Sequence, residues 1–277
     1  MSEISASAVM SLRKSTGLPM MDCKKALSEC NGDADAAVAW LRDRGADVLA
    51  KRSDRETTFG RFGLHVGASG AVGAMVELKC ESAPVAGNEE FVQLANDLAQ
   101  QLATGPGAET ADELLSQPSP SKDGQTLGAQ KDELFNRIRE VFNVGRMTRI
   151  EGATGGYSHN ASTISGVIIE IEGGSDELAR DVCMHIAAMS PEALSSDDLN
   201  QEDVARERAA LRETALREGK PENIVDKMVE GRLRNYFAER CLLSQAFVKD
   251  DKQAVGQVAD AAGMKICQFV HWELGKE

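Results

Sequence analysis

A strand-and-helix unit that occurs twice is the feature that most constrains the fold of this chain. Residues 73–78 (GAMVEL) and 166–171 (GVIIEI) match at an offset of 93. Both are short apolar runs rich in β-forming residues, and both follow a turn-rich stretch, which predicts hairpin strands. The amphipathic stretches 95–103 and 179–187 match at an offset of 84 and predict helices. The repeat therefore predicts two similar α+β subdomains.

The two offsets differ by nine, so the first copy carries about nine extra residues between its strand and its helix. The insertion falls within residues 80–88. An extra loop in one copy of a duplicated unit is a place where function is expected. Ordinary variation in loop length is the alternative interpretation.

Residues 5–45 predict three short helices, with a core so small that a docking role is favoured over an enzymatic one. Ser5 or Ser7 can cap the first helix, and Asp33 can cap the third. Pro19 is expected in the first turn of the second helix. Gly45 is expected to end the third helix.

A charged helical hairpin is predicted at about 196–239, with a turn at Gly219-Lys220-Pro221. Its expected inward-facing residues follow helical spacing: Val204, Leu211, Ala215, Ile224, Met228, Val229, Leu233 and Phe237. The high charge of both helices favours a hairpin that protrudes from the body, and a helix pair packed on the core is the alternative. A further helix is expected over 130–143, with apolar positions Leu134, Ile138, Val141 and Phe142.

The sequence divides into four predicted regions. Residues 1–50 form the three-helix module, 51–62 a linker, 63–150 the first core subdomain, and 151–277 the second core subdomain with its hairpin. Residues 1–62 carry ten Lys/Arg and nine Asp/Glu, a net charge of +1, and the remainder carries −14.

Composition excludes several classes of function. The net charge of −13 disfavours binding to a nucleic-acid backbone, and the 4% aromatic content disfavours base stacking. No run approaches the roughly 20 apolar residues of a membrane span, and the acidic N-terminus does not resemble an export signal. The six cysteines form no C-x-x-C pair, so free thiols in the cytoplasm are expected.

Catalytic and cofactor motifs are missing from the sequence. The glycines of 67–73 form G-x-x-G-x-x-G before a strand, whereas a dinucleotide site follows one. His185 lies in mid-helix and is predicted to be a structural histidine. An enzyme that uses Cys80 or His159 is disfavoured, since no base–nucleophile set is evident. The sequence thus predicts an interaction protein that needs no cofactor.

Residues 16–27 (TGLPMMDCKKAL), followed by Asn31-Gly32-Asp33, resemble the N-terminal module of the bacterial elongation factor Ts family. Similar matches follow in order at 184–191 (MHIAAMSP), 227–232 (KMVEGR) and 243–250 (LSQAFVKD). The resemblance implies guanine-nucleotide exchange on GDP-bound elongation factor Tu, without covalent chemistry. It also implies a ubiquitin-associated-like module, two α+β subdomains and a protruding coiled-coil hairpin. It leaves open a homodimer or a 2:2 complex, and a ubiquitin-type binder would explain only residues 1–50.

The resemblance carries over to particular residues. It implies contacts to the GTPase domain from Met20, Met21, Asp22 and Lys24 and from Phe247, Val248 and Lys249, and a contact to another domain from His159. The family's Mg²⁺-disturbing loop reads Thr-Asp-Phe-Val, but here the positions hold Ser82, Ala83, Pro84 and Val85. Either this loop still inserts with Pro84 as a smaller wedge, or exchange is weakened or moved to other contacts. A non-exchanging, chaperone-like binder of the same GTPase is the alternative function.

Overall fold

The computed structural model describes residues 4–52, 54–161, 163–219 and 221–276 and has the predicted α+β class. Eleven helices lie in this described part: α1 (Ala6–Thr16), α2 (Met20–Glu29), α3 (Ala34–Ala50), α4 (Ala83–Ala86), α5 (Glu89–Thr104), α6 (Ala111–Leu115), α7 (Leu127–Ile138), α8 (Asp176–Met189), α9 (Gln201–Arg217), α10 (Glu222–Arg240) and α11 (Val255–Ala261). The strands there are β1 (Phe59–His65), β2 (Val72–Cys80), β3 (Asn143–Glu151), β4 (Ala153–Asn160), β5 (Ile164–Glu172), β6 (Ala246–Phe247), β7 (Asp250–Ala254) and β8 (Lys265–Glu273). Short 3-10 turns lie at Ser196–Asp198 and Leu242–Ser244.

Helices α1 to α3 form the predicted three-helix module around its own small core. The hydroxyl of Ser5 caps α1, and the carboxylate of Asp33 caps α3 by accepting from two backbone N–H groups. Pro19 lies at the N-cap of α2 instead of inside its first turn. The buried residues are Val9, Leu12, Leu18, Cys23, Ala26, Leu27, Ala37 and Leu41.

The prediction that Gly45 ends the third helix is wrong, because α3 continues to Ala50. Gly45 lies in mid-helix, where a Cβ atom would collide with the side chain of Asn136 on α7. A glycine in this position costs some helix propensity, but it permits the close approach of two helices. The role of Gly45 is to permit contact between α3 and α7, and it does not end the helix.

The two predicted strands, β2 and β5, are the central strands of two three-stranded antiparallel sheets. The order in the first sheet is β1-β2-β3, and in the second it is β4-β5-β8. Helix α5 packs on the first sheet and α8 on the second, each through a separate buried cluster. This confirms the strands and helices of the repeat.

The two sheets share a third apolar cluster. Phe62 and Met75 from the first sheet meet Ile168 from the second. Gly166 on β5 lies so close that a Cβ atom there would come within 2.7 Å of the Met75 sulfur and clash with the Phe62 ring. The chain crosses from β3 to β4 through Gly152, whose φ of 106° favours glycine.

The repeat extends further in the structure than the sequence comparison predicted. Residues 114–117 and 242–245 share the sequence LLSQ at an offset of 128. The backbone N–H of Leu127 donates to the carbonyl of Gln117 at 2.9 Å, and that of Val255 to Gln245 at 3.0 Å. Helix α7 with β3 thus corresponds to α11 with β8. Since the offset rises from 84 to 128 between α8 and the 3-10 turn, the hairpin is an insertion in the second copy.

Helices α9 and α10 form this inserted antiparallel hairpin, whose apolar seam is separate from the other clusters. Ala215, Val225, Val229 and Leu233 are buried in it, and Leu211 and Phe237 pack against them. The expected inward position of Ile224 is wrong. Ile224 is exposed, and its neighbour Val225 faces α9, because Val225 precedes Val229 by four residues and so lies on the same face of α10. The predicted turn residue Lys220 lies outside the described residues, as does Ser53 of the predicted linker.

Helix α7 ends earlier than predicted. The chain leaves the helix at Arg139, which has a left-handed φ of 68°, so Val141 and Phe142 lie beyond it. Both remain buried in the first cluster, where the rings of Phe91 and Phe142 meet edge to face at 5.4 Å. The apolar side chains of Val141 and Phe142 correctly predicted that both residues are buried, but the prediction that they belong to the helix is wrong. The division into regions at residues 50, 62 and 150 stays a prediction.

Candidate functional site

Helix α2 presents a small apolar and basic surface to solvent. Cys23, Ala26 and Leu27 face the module core, so helical spacing turns the neighbouring positions outward. Met20 is 46% exposed and Met21 72% exposed, and Lys24 is also exposed. Neither methionine is part of the core, and both are free to make contacts.

Asp22, on the same helix, faces a different environment. Its carboxylate accepts a hydrogen bond from the Arg139 guanidinium at 2.7 Å, and both side chains are partly buried. The pair connects the three-helix module to the end of α7. Asp22 therefore has a clear intramolecular role, whatever else it contacts.

The insertion between strand and helix in the first copy forms a compact loop built around the single turn α4. Ser82 donates a hydrogen bond through its hydroxyl to Glu140 at 2.6 Å, and Val85 packs against the first cluster. Ala83 and Pro84 between them are exposed. The loop is thus anchored on both sides of its two exposed tip residues.

Cys80 lies at the base of this loop and is fully buried. Its thiol donates to the carbonyl of Ser82 at 3.3 Å. Burial raises the pKa of the Cys80 thiol to about 12, since the thiolate would lose its hydration. A thiol held neutral in this way is a structural group and a poor nucleophile.

Residues 139–141 join the Asp22 contact to the loop. Consecutive residues Arg139 and Glu140 bind Asp22 and Ser82, and the N–H of Val141 donates to the Glu81 carboxylate at 2.8 Å. Two linker arginines complete the junction: Arg52 donates to the Arg139 carbonyl at 2.8 Å, and Arg55 pairs with Glu81 at 2.9 Å. Sequence reasoning missed this junction, because its partners are far apart in the chain and no local pattern connects them.

His159 lies on edge strand β4, away from these contacts. Its Nδ1 and the hydroxyl of Tyr157 are 3.0 Å apart, and alternation along the strand places both side chains on one face. The residue is partly buried.

The third predicted contact segment is the tight turn between β6 and β7. Phe247 is buried in the second cluster, so its side chain packs inside the fold, and its part in a contact stays a prediction. Val248 is 48% exposed, and Lys249 is half exposed and pairs with Asp181 on α8 at 2.6 Å. The exposed apolar side chain of this turn is therefore Val248.

The described residues contain no group of three or more His, Cys, Asp or Glu side chains that could hold a metal ion. No described helix has both the length and the apolar character needed to cross a membrane. The exposed candidates are apolar or basic side chains on separate elements, an arrangement suited to contact with another protein.

Comparison with known proteins assigns a family to most of the chain. A family model described as "Elongation factor TS" matches residues 81–276. The chain is similar to elongation factor Ts of Thioalkalivibrio sulfidiphilus, with 38% identity over 99% of this chain and 92% of that protein. It is 40% identical to elongation factor Ts of Azoarcus sp. strain BH72 over 100% of this chain and 92% of the relative. The match to elongation factor Ts of Cutibacterium acnes is 40% over 99% of each chain.

Proposed function

Because the chain belongs to the elongation factor Ts family of translation elongation factors, we propose that it accelerates the release of GDP from elongation factor Tu through protein contacts alone. Similarity along almost the entire chain carries this proposal. The protein makes and breaks no covalent bond in this role and needs no cofactor of its own. The proposed location is the cytoplasm, where translation takes place.

Exchange of this kind follows from linkage. If this protein binds the GTPase better without nucleotide than with it, the nucleotide must be held more weakly by the same factor when this protein is bound. Several contacts can hold the GTPase in the altered form together, because each contact that is better in that form adds to the free energy that favours it. The proposed contacts are Met20, Met21, Asp22, Lys24, His159 and the turn at Phe247, Val248 and Lys249.

The loop of Ser82, Ala83, Pro84 and Val85 is proposed to act as the wedge near the Mg²⁺ of the GTPase. Its anchors at Ser82 and Val85 support this role, because a wedge must not give way when it is pressed. The tip offers a methyl group and a proline ring, where the family pattern has a carboxylate and an aromatic ring. A rigid proline ring can still displace a neighbouring segment, although it contributes no charge.

The alternative of a non-exchanging binder is not supported by the comparisons. The test is the rate at which labelled GDP leaves elongation factor Tu with and without this protein. We expect a concentration-dependent increase in the release rate. If this protein bound elongation factor Tu but left the rate of GDP release unchanged, exchange would be contradicted and the non-exchanging binder would be the remaining function.

A loop variant tests the wedge directly. We expect Ala83→Asp/Pro84→Phe to accelerate release by about tenfold at saturating factor, since it adds a group worth roughly 1.4 kcal/mol at the nucleotide site. The matched control is Ala71→Asp, a substitution at an exposed position of the same copy, in the turn between β1 and β2. No gain from the loop variant would mean that the present tip is already sufficient.

A further inference from the structure

A buried polar network connects the 247–249 turn to helix α8 and to the end of the helical hairpin. His185 on α8 has no exposed surface, and Gln245 is 1% exposed. The imidazole Nε2 lies 2.9 Å from the Gln245 Oε1, and the backbone N–H of Val248 donates to Nδ1 at 3.3 Å. The Gln245 side-chain amide in turn donates to the carbonyl of Glu239, the penultimate residue of α10, at 3.0 Å.

The bonds in this network fix the tautomer of His185. A backbone N–H can only donate, so Nδ1 carries no proton and accepts. Nε2 must then carry the proton and donate to Gln245, whose Oε1 faces His185 because its amide nitrogen faces Glu239. Both ring nitrogens of His185 and both polar side-chain atoms of Gln245 have hydrogen-bond partners. A buried network that is satisfied in this way specifies one arrangement of the groups that it joins.

A second tether lies one helical turn away on the same face of α8. Asp181 precedes His185 by four residues, and its carboxylate pairs with the Lys249 ammonium at 2.6 Å. Between the two tethers, the Phe247 ring lies 5.9 Å from the imidazole centroid. Helix α8 therefore contacts the turn at three groups: the backbone N–H of Val248, the ring of Phe247 and the ammonium of Lys249.

The first copy of the repeat holds its equivalent loop in the same way. At the offset of 84, Asp97 and Gln101 correspond to Asp181 and His185. Gln101 donates to Gln117, the counterpart of Gln245, at 3.0 Å. Asp97 accepts from Ser121, which corresponds to Lys249 at the offset of 128.

The second copy differs from this shared scheme in two ways. Its helix carries a histidine where the first has glutamine, which adds the acceptor for the Val248 N–H. Its loop also has Val248 where the offset of 128 places Pro120, an exposed residue with no backbone N–H to donate. The added bond thus acts on Val248, and the first copy cannot form its equivalent because Pro120 has no N–H.

We propose that His185 is a positioning residue that fixes the backbone of the 247–249 turn, so that Val248 is presented to the GTPase in one orientation. This inference rests on the proposed function for the identity of the protein that the turn contacts. The Gln245 branch also joins the turn to the base of the inserted hairpin, so a displaced hairpin would displace the contact.

The test is a double-mutant cycle on the affinity for GDP-bound elongation factor Tu, measured by calorimetry with the full chain. We expect His185→Leu to weaken binding by about tenfold and Val248→Ala to add less than about twofold to that loss, since residues that act through one another are not additive. Met21→Ala is the matched control on the three-helix module, and it should keep its full effect in the His185→Leu background. Full multiplication of the His185 and Val248 effects would overturn the proposal, as would a Val248→Ala variant with wild-type affinity.

Two further readouts separate positioning from a general loss of stability. His185→Gln keeps the donor to Gln245, as Gln101 does in the first copy, and should recover a large part of the affinity that His185→Leu loses. Amide hydrogen exchange of the free protein should accelerate at Val248 in His185→Leu while α5 keeps its protection; equal acceleration in α5 would overturn the proposal. The wild-type rate of GDP release tests the proposed function separately and needs none of these variants.

Discussion

One buried histidine, His185, and one partly buried histidine, His271, contribute to the response of this protein's stability to mild acid. Burial lowers the pKa of His185 below its ordinary value of 6.5, and burial is also the main cause of the lowered pKa of His271. The unfolded chain therefore binds more protons than the folded one once the pH falls below about 6.5, so protonation favours unfolding. Well above that pH both imidazoles are neutral in both states and contribute no pH dependence.

We expect the free energy of unfolding to fall as the pH is lowered from 7 to 5.5, with a slope of up to about 1.4 kcal/mol per pH unit from His185. Urea denaturation at a series of pH values measures this slope. His185→Gln should flatten it, and His185→Gln/His271→Gln should flatten it further. A slope that is the same in wild type and in the double variant would contradict this assignment.

Individual residues also show where sequence reasoning succeeds and fails. The caps at Ser5 and Asp33 were predictable, because capping depends on neighbouring backbone groups. The position of Gly45 was not, because its reason is the side chain of Asn136 on another element. The exposure of Met20 and Met21 could not be decided from spacing alone, since a methionine suits a core and a contact surface equally well.

Among the elements, the junction at 139–141 determines how the three-helix module is held relative to the wedge loop. One side chain reaches α2 and the next reaches the loop, so a rotation of this short segment would move both surfaces. Such a link is useful to a protein whose contacts must act together. The junction also requires a left-handed backbone conformation at Arg139, which is unfavourable for a residue with a side chain.

We expect Arg139→Gly and Arg139→Ala to differ in stability and to agree in function. Glycine relieves the left-handed backbone, so Arg139→Gly should be about 1 kcal/mol more stable than Arg139→Ala in urea denaturation. Both lose the bond to Asp22, so both should require several-fold more protein for half-maximal GDP release. Asp22→Asn weakens the same bond from the other side, so in urea denaturation it should add little to the stability loss of Arg139→Ala; independent, adding losses would show that Arg139 stabilises the fold through another contact.

The repeat was only partly visible in the sequence, because the offset between its two copies changes along the chain. Strands β2 and β5 and helices α5 and α8 are buried in equivalent ways, so their apolar patterns are alike. The LLSQ match at 114–117 and 242–245 was missed because the inserted hairpin changes the offset. The identical tetrapeptide was the available signal, and it would have predicted both the loop that contains Val248 and the boundaries of the insertion.

Across the whole molecule, the apolar clusters of the module, the two copies and the hairpin are distinct. Distinct clusters allow parts of a protein to open separately, at different free energies. The hairpin is the clearest case, because its seam is formed by α9 and α10 alone, with ion pairs across it such as Arg232 with Glu218 at 2.9 Å. Exposed ion pairs of this kind add little stability, so the seam must supply most of it.

We expect Leu233→Ala to open the hairpin without unfolding the rest. The side chain is fully buried in the seam, and its truncation should cost about 2–4 kcal/mol. Native-state hydrogen exchange should show faster exchange throughout α9 and α10, with the amides of α5 and α8 unchanged. Leu216→Ala, at an exposed position on α9, is the matched control. Equal acceleration in α5 would mean that the hairpin unfolds only together with the body.

Gly152 has a consequence for how this protein can be divided. It is the single residue between the last strand of one sheet and the first strand of the other, and the sheets adhere through Phe62, Met75 and Ile168. A gene cut at this codon would yield two polypeptides, each with a complete three-stranded sheet and its covering helices. The two fragments would associate through the shared apolar face. Their affinity for each other would therefore depend on the close packing at Gly166.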